Sequence, residues 1–193
     1  VDMRVKYYED NLNQDRMDRA RILKLLRNDD SRLDILRKLT HNDDPEIIRE
    51  IIELFDAEKI QVRGEVFSTL FLNENDILEQ LLEGLEHESK NVRGYVALVI
   101  ANRNEKNAIQ HIIRLTNDSS GLVRTCAYGA LGHLAVKESA KELHKGVFDS
   151  NLEAVKSAAY ALARINEKIS QEEIESMKRL EKMDCEKILK FFK

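Results

Sequence analysis

The chain has 193 residues, 42% of them hydrophobic and 34% charged, enough apolar content for a continuous core and too much for a disordered segment. No run of about 18 apolar residues occurs, so no helical membrane span is expected, and residues 1–10 lack the apolar centre of a signal peptide. The net charge of −4 is uneven, with −10 over residues 41–90 against +2 before and +4 after, so any charged partner would meet different fields along the chain.

Residues 1–14 carry no sustained period and read as a short leading helix or a loose cap. From Asp15, the residues Met17, Ala20, Ile22, Leu23, Leu25 and Leu26 recur at three- and four-residue steps, the pattern of an amphipathic helix. Asn28–Ser31 breaks it, and Arg32–Leu39 forms a shorter second helix. A second pair opens at Asp43-Asp44-Pro45, where Asp can cap free backbone N–H groups and Pro suits the first helical position. Its apolar face is Ile47, Ile48, Ile51, Ile52, Leu54 and Phe55, and its partner helix is Val62–Leu72. The third pair places Ile77, Leu78, Leu81, Leu82 and Leu85 inside, then returns as Val92–Ala101. The fourth runs from about Glu105 through Ile109, Ile112, Ile113 and Leu115 to Leu122–Leu134. The fifth uses Leu143, Val147 and Phe148, then Leu152–Ile165. The last opens on Ser170-Gln-Glu-Glu173, a capping-box pattern, and its second helix is read as Cys185–Lys193.

These pairs are copies of one unit. Val62-Arg63, Val92-Arg93, Val123-Arg124 and Val155-Lys156 each follow an Asp- or Asn-containing turn, and the apolar residues closing the helices they begin are Leu70, Ile100, Leu131 and Leu162, spaced 30, 31 and 31 residues apart. A period of roughly 20–50 residues means that each unit buries its apolar side only by stacking on its neighbours. No strand pattern occurs. The fold expected is all-α: a right-handed α-solenoid of about six stacked hairpins in one domain, with repeats near 15–42, 43–73, 74–104, 105–136, 137–167 and 168–193.

The most complete segment, Val123-Arg-Thr-Cys-Ala-Tyr-Gly-Ala-Leu-Gly132, resembles the HEAT repeat, in particular the short phycobilisome-lyase-type HEAT-like repeat. The resemblance covers residues 43–167 best. It implies a scaffold that binds other proteins along a curved surface. Arg63, Arg93 and Arg124 match the repeated Arg of that family, while Lys156 stands one position out of register.

Two readings apply to the repeated arginines Arg32, Arg63, Arg93 and Arg124: a basic stripe for an acidic ligand, or bonds to an acidic turn residue or to carbonyls of the neighbouring repeat that hold the stack in register. In this kind of repeat the second helix of each pair lines the concave side, and helical spacing turns Glu65, Ser68 and Leu72; Tyr95, Leu98 and Asn102; Cys126, Gly129 and His133; and Ser157, Tyr160 and Arg164 outward. Of these, Glu65, Tyr95, Asn102, His133, Tyr160 and Arg164 form a candidate partner-binding patch, because they vary between repeats and Tyr and Arg are frequent binding anchors. Glu79, Glu83 and Glu86 form a candidate acidic dock for a basic segment, against the plainer reading of a solvated face.

Catalysis finds no support. Cys126 and His133 lie seven residues apart on one helix, about 10 Å along its axis, where proton transfer needs about 3 Å. The remaining histidines have no i,i+4 partners, and no glycine-rich phosphate loop or zinc motif occurs, so no metal or cofactor is expected. Two cysteines without disulfide or metal spacing fit a reducing compartment, and the location expected is cytoplasmic. Val1 stands where an initiator Met would, which leaves room for a longer parent chain. The expected partner is therefore a protein or peptide. The alternatives are a nucleic-acid-binding HEAT-like protein, disfavoured by the acidic middle, and a lyase-type enzyme.

Overall fold

A computed structural model describes Lys6 and residues 18–193, so the reading of residues 1–14 as a leading helix or cap, and of Met17 in the first stripe, lies outside the described residues. Every regular element described is helical. None is long and apolar enough to cross a membrane. Contacts divide the chain into two compact units, 1–77 and 78–193.

The first unit holds two hairpins. Helix α1 is described over 18–27 and pairs with α2 (Arg32–Lys38); α3 (Pro45–Glu53) pairs with α4 (Ile60–Leu72). Pro45 starts α3 as expected, and the Asp44 carboxylate accepts the backbone N–H groups of Glu46 and Ile47. Burial of Ile47, Ile48, Ile51 and Ile52 defines the inner side of α3. Helix α4 is tied to the preceding hairpin by side-chain bonds to backbone: Thr69 Oγ1 donates to the Leu36 carbonyl at 3.0 Å and Asn73 Nδ2 to that of Asn42 at 2.7 Å.

The second unit holds four hairpins. They are α5 (Leu78–Leu85) with α6 (Lys90–Asn102), α7 (Ile109–Leu115) with α8 (Gly121–His133), α9 (Ala140–Gly146) with α10 (Leu152–Arg164), and α11 (Gln171–Met177) with α12 (Lys182–Leu189). Helices α6, α8 and α10 pack side by side. Their closing residues Ile100, Leu131 and Leu162 are fully buried, as is Leu70 in the first unit. The repeat also appears in the backbone. Asn104, Ala135 and Asn166, each just past a second helix, have φ of 58°, 52° and 60°. The N–H of the next residue then bonds back five positions (Glu105 to Ile100, Val136 to Leu131, Glu167 to Leu162), the Schellman closure of a helix end. The Ser170–Glu173 capping box forms as its sequence pattern implies.

Three expectations change. Cys126, expected outward, is buried at 6% exposure because α6 comes close to α8 there: a methyl group on Gly94 would lie 3.2 Å from the Cys126 sulfur. Phe148, expected inside, is 51% exposed, since α9 ends at Gly146 and the helical spacing no longer applies. The last helix begins at Lys182 rather than Cys185, and a 3₁₀ turn, Lys190–Phe192, follows it.

Candidate functional site

The repeated arginines stand at the starts of the second helices, and the turns explain them. Each donates to the carbonyls five and six residues back: Arg32 to Leu26 and Arg27, Arg63 to Ala57 and Glu58, Arg93 to His87 and Glu88, Arg124 to Asp118 and Ser119. In the second unit the same side chain also grips the next turn. Arg93 donates Nε and Nη2 to both Asp118 carboxylate oxygens at 2.9 and 3.0 Å. Arg124 does the same to Asp149 at 2.7 and 2.8 Å. Arg179, in the turn after α11, instead donates back to the carbonyls of Val147 and Asp149 in the preceding turn, and Lys156 reaches Glu153 and Asp184. Bidentate guanidinium–carboxylate pairs of this kind are the strong, directional ones.

Electrostatics agree with the geometry. Burial alone pushes the Asp118 and Asp149 carboxyls up. The hydrogen bonds from Arg93 or Arg124, the backbone N–H of Ser120 or Asn151 and the guanidinium charges outweigh it and hold both below the usual carboxylate range. Arg93 and Arg124 thus link consecutive turns, while Arg32 and Arg63 hold the carbonyls of their own turns.

The varied positions behave differently. His133 ends α8, Tyr160 and Arg164 lie on the last two turns of α10, and together with Gly129, Gly132 and Ser157 they line one cleft of about 230 Å³. The cleft exists because α8 and α10 nearly touch: a Cβ on Gly132 would lie 2.8 Å from the Ala161 Cβ and 2.9 Å from its Cα. Arg164 Nε donates to the Gly132 carbonyl at 3.1 Å, which fixes the guanidinium across the gap. The Tyr160 ring meets Phe191 edge-on, with centroids 5.8 Å apart. Phe191, Ala163 and Asn166 join Tyr160 and Arg164 around an adjoining cleft of about 410 Å³.

Tyr95 and Asn102 lie on α6, half-buried and exposed respectively, and line neither cleft; Asn102 Nδ2 bonds the Leu98 carbonyl one turn back. Glu65 belongs to the first unit and is held by Arg37 at 3.1 Å. Glu79, Glu83 and Glu86 are all exposed on and just after α5. The sequence reading missed Phe191. Its only signal was a Phe pair closing an otherwise Lys- and Glu-rich segment.

Burial pushes the Cys126 thiol up to about 11, away from the reactive thiolate. No group of three or more metal-ligating side chains occurs among the described residues.

Stacked helical hairpins joined through their turns define an all-α repeat fold of the solenoid class. Residues 78–163 match the family model of HEAT repeats. No curated protein matches the sequence. Among solved structures, a designed armadillo repeat protein in complex with the peptide (KR)4 is similar over 90% of this chain and 98% of its own, at 19% identity and a TM-score of 0.52. An engineered protein is similar over 89% of this chain and 95% of its own, at 17% identity and a TM-score of 0.53. A computationally designed armadillo repeat protein for modular peptide recognition is similar over 90% and 99%, at 17% identity and 0.50. At these identities the likeness is one of fold.

Proposed function

We propose that this chain is a non-enzymatic, cytoplasmic scaffold of the short, phycobilisome-lyase-like HEAT type that binds a protein or peptide on the face carried by its second helices. One observation carries the reading. The arginines that recur from repeat to repeat, such as Arg93 and Arg124, are engaged in the turns, whereas residues that vary, His133, Tyr160 and Arg164, gather around an open cleft. A surface built that way keeps the fold constant while its contacts are free to suit a particular ligand. The test is a peptide-display selection on the wild-type protein, with the selected peptides titrated against Tyr160→Ala and Arg164→Ala. Peptides that bind wild type and lose affinity for both variants support the reading. Peptides that bind all three equally contradict it.

A second reading concerns α5. Glu79 on α5 and Glu86 just after it are exposed and make no ion pair among the described residues, and Glu83, also exposed, lies between them in sequence. Such a stripe suits a basic segment, and a designed repeat protein of similar fold holds a Lys-Arg peptide. Replacing Glu79, Glu83 and Glu86 by Gln would then slow association of a Lys-Arg peptide several-fold at low salt and little at high salt. An unchanged association rate removes the idea.

A further inference from the structure

The clefts on α8 and α10 differ in charge from the acidic stretch at residues 41–90. Among the described residues, no acidic side chain lines either of the two clefts that share Tyr160 and Arg164. Their ionisable lining is His133, Tyr160 and Arg164, with no carboxylate. Arg164 uses Nε on the Gly132 carbonyl, and its two Nη groups make no hydrogen bond among the described residues. By contrast, Arg93 and Arg124 are each closed off by an aspartate. The Tyr160 hydroxyl and Ser157 Oγ, which line the same cleft, also make none among the described residues. A guanidinium held in plane by one bond, with its outer edge free, matches the two oxygens of a carboxylate.

The apolar part lies alongside. Phe191 packs edge-on against Tyr160, and past it the surface continues as a third cleft walled by Ile169, Ile174, Leu189 and Phe192. One carboxylate, Glu167, borders that third cleft; it faces His144 at 3.6 Å. Phe191 is 61% exposed, which leaves a large aromatic face uncovered.

We propose that these clefts seat an acidic peptide segment. An Asp or Glu side chain of the segment pairs with the free edge of Arg164 and accepts from Tyr160 and Ser157, and a neighbouring apolar side chain lies on Phe191. This rests on the reading that the second-helix face binds peptides, and it adds the chemistry of the ligand. A basic segment would be repelled here, since it would bring a second cation against Arg164 in a cleft with no carboxylate to receive it.

The experiment is a fluorescence-anisotropy titration with a short peptide of alternating Glu and Leu, run beside its Gln-Leu and Lys-Leu counterparts. The Glu-Leu peptide is expected to bind tightest, and Arg164→Glu to weaken it about tenfold or more, with affinity falling as salt rises. Tyr160→Ala is expected to weaken all apolar-containing peptides. Thermal melts of both variants show whether a loss comes from unfolding; if Arg164→Glu melts early, Arg164→Gln replaces it, with the same expected order of peptides. Equal binding of the Gln-Leu or Lys-Leu peptide through the same clefts overturns the acidic ligand and keeps the scaffold reading. No binding by any of the three overturns both. Competition by inorganic phosphate in place of the peptide overturns a peptide ligand in favour of a bare anion. Dimerisation without peptide, abolished by Arg164→Glu, overturns it in favour of a second copy of the chain.

Discussion

At the starts of α6 and α8, Arg93 and Arg124 each grip two carbonyls of their own turn and both carboxylate oxygens of the next. At the end of α10, Arg164 holds one carbonyl and leaves the rest of its guanidinium to the cleft. The two regions lie near opposite ends of the second helices, whose thirteen residues span about 20 Å. Arginine is the same residue in both places, and its surroundings decide its use. A half-buried guanidinium facing a half-buried aspartate joins one repeat to the next; a guanidinium in a cleft without carboxylates remains available to something outside the chain. In a repeat protein, then, a recurring residue serves the stack, and a departure from recurrence is where a ligand can be read.

The core beneath both regions gives the largest expected effect. Leu131 is fully buried between α8 and its neighbours, so Leu131→Ala should lower stability by about 2–5 kcal/mol in chemical denaturation, from the lost contacts and the cavity left behind. A change well under 1 kcal/mol would mean that the repeat register is wrongly drawn.

Next comes the turn ladder. Asp149→Asn keeps the shape but removes the charge that Arg124 faces, and should cost about 1–3 kcal/mol at neutral pH. The sign with pH follows from the lowered carboxyl. Its stabilising contribution is present above the unfolded value, near pH 4, and is lost as pH falls through the lower folded value. Wild type should therefore lose stability as the solution is acidified below about pH 4 more steeply than Asp149→Asn does. Parallel curves for the two proteins would place the acid sensitivity elsewhere.

The smallest expected change is a gain. Asn104 and Asn166 tolerate the left-handed backbone that closes their helices, but Ala135 occupies the same position with φ of 52° and a Cβ that disfavours it. Ala135→Gly should raise stability by roughly 0.5–1 kcal/mol without touching the cleft or the ladder. A loss of stability there would show that Gly's extra freedom in the unfolded chain outweighs the relieved strain.

Much of this was legible in residue spacing, because a period forces equivalent residues into equivalent burial. Leu70, Ile100, Leu131 and Leu162 are fully buried, and the Ser170 capping box and Pro45 helix start formed as local chemistry requires. What was not legible depends on how close two helices come. Cys126 was expected outward from its helical phase, yet Gly94 lets α6 approach and cover it. The meeting of Gly132 with Ala161, and of Tyr160 with Phe191 thirty-one positions later, likewise joins residues of different hairpins. Helical phase within one repeat carries no record of that distance.

The contrast between the two kinds of arginine can be measured directly by taking Arg124→Ala and Arg164→Ala through the same thermal melt and the same titration with the Glu-Leu peptide. Arg124→Ala is expected to melt earlier and, at a temperature where it is folded, to bind the peptide like wild type. Arg164→Ala is expected to melt like wild type, within about 0.5 kcal/mol, and to bind about tenfold more weakly. The opposite assignment, with Arg164 supporting the fold and Arg124 the peptide, would contradict the division between ladder and cleft.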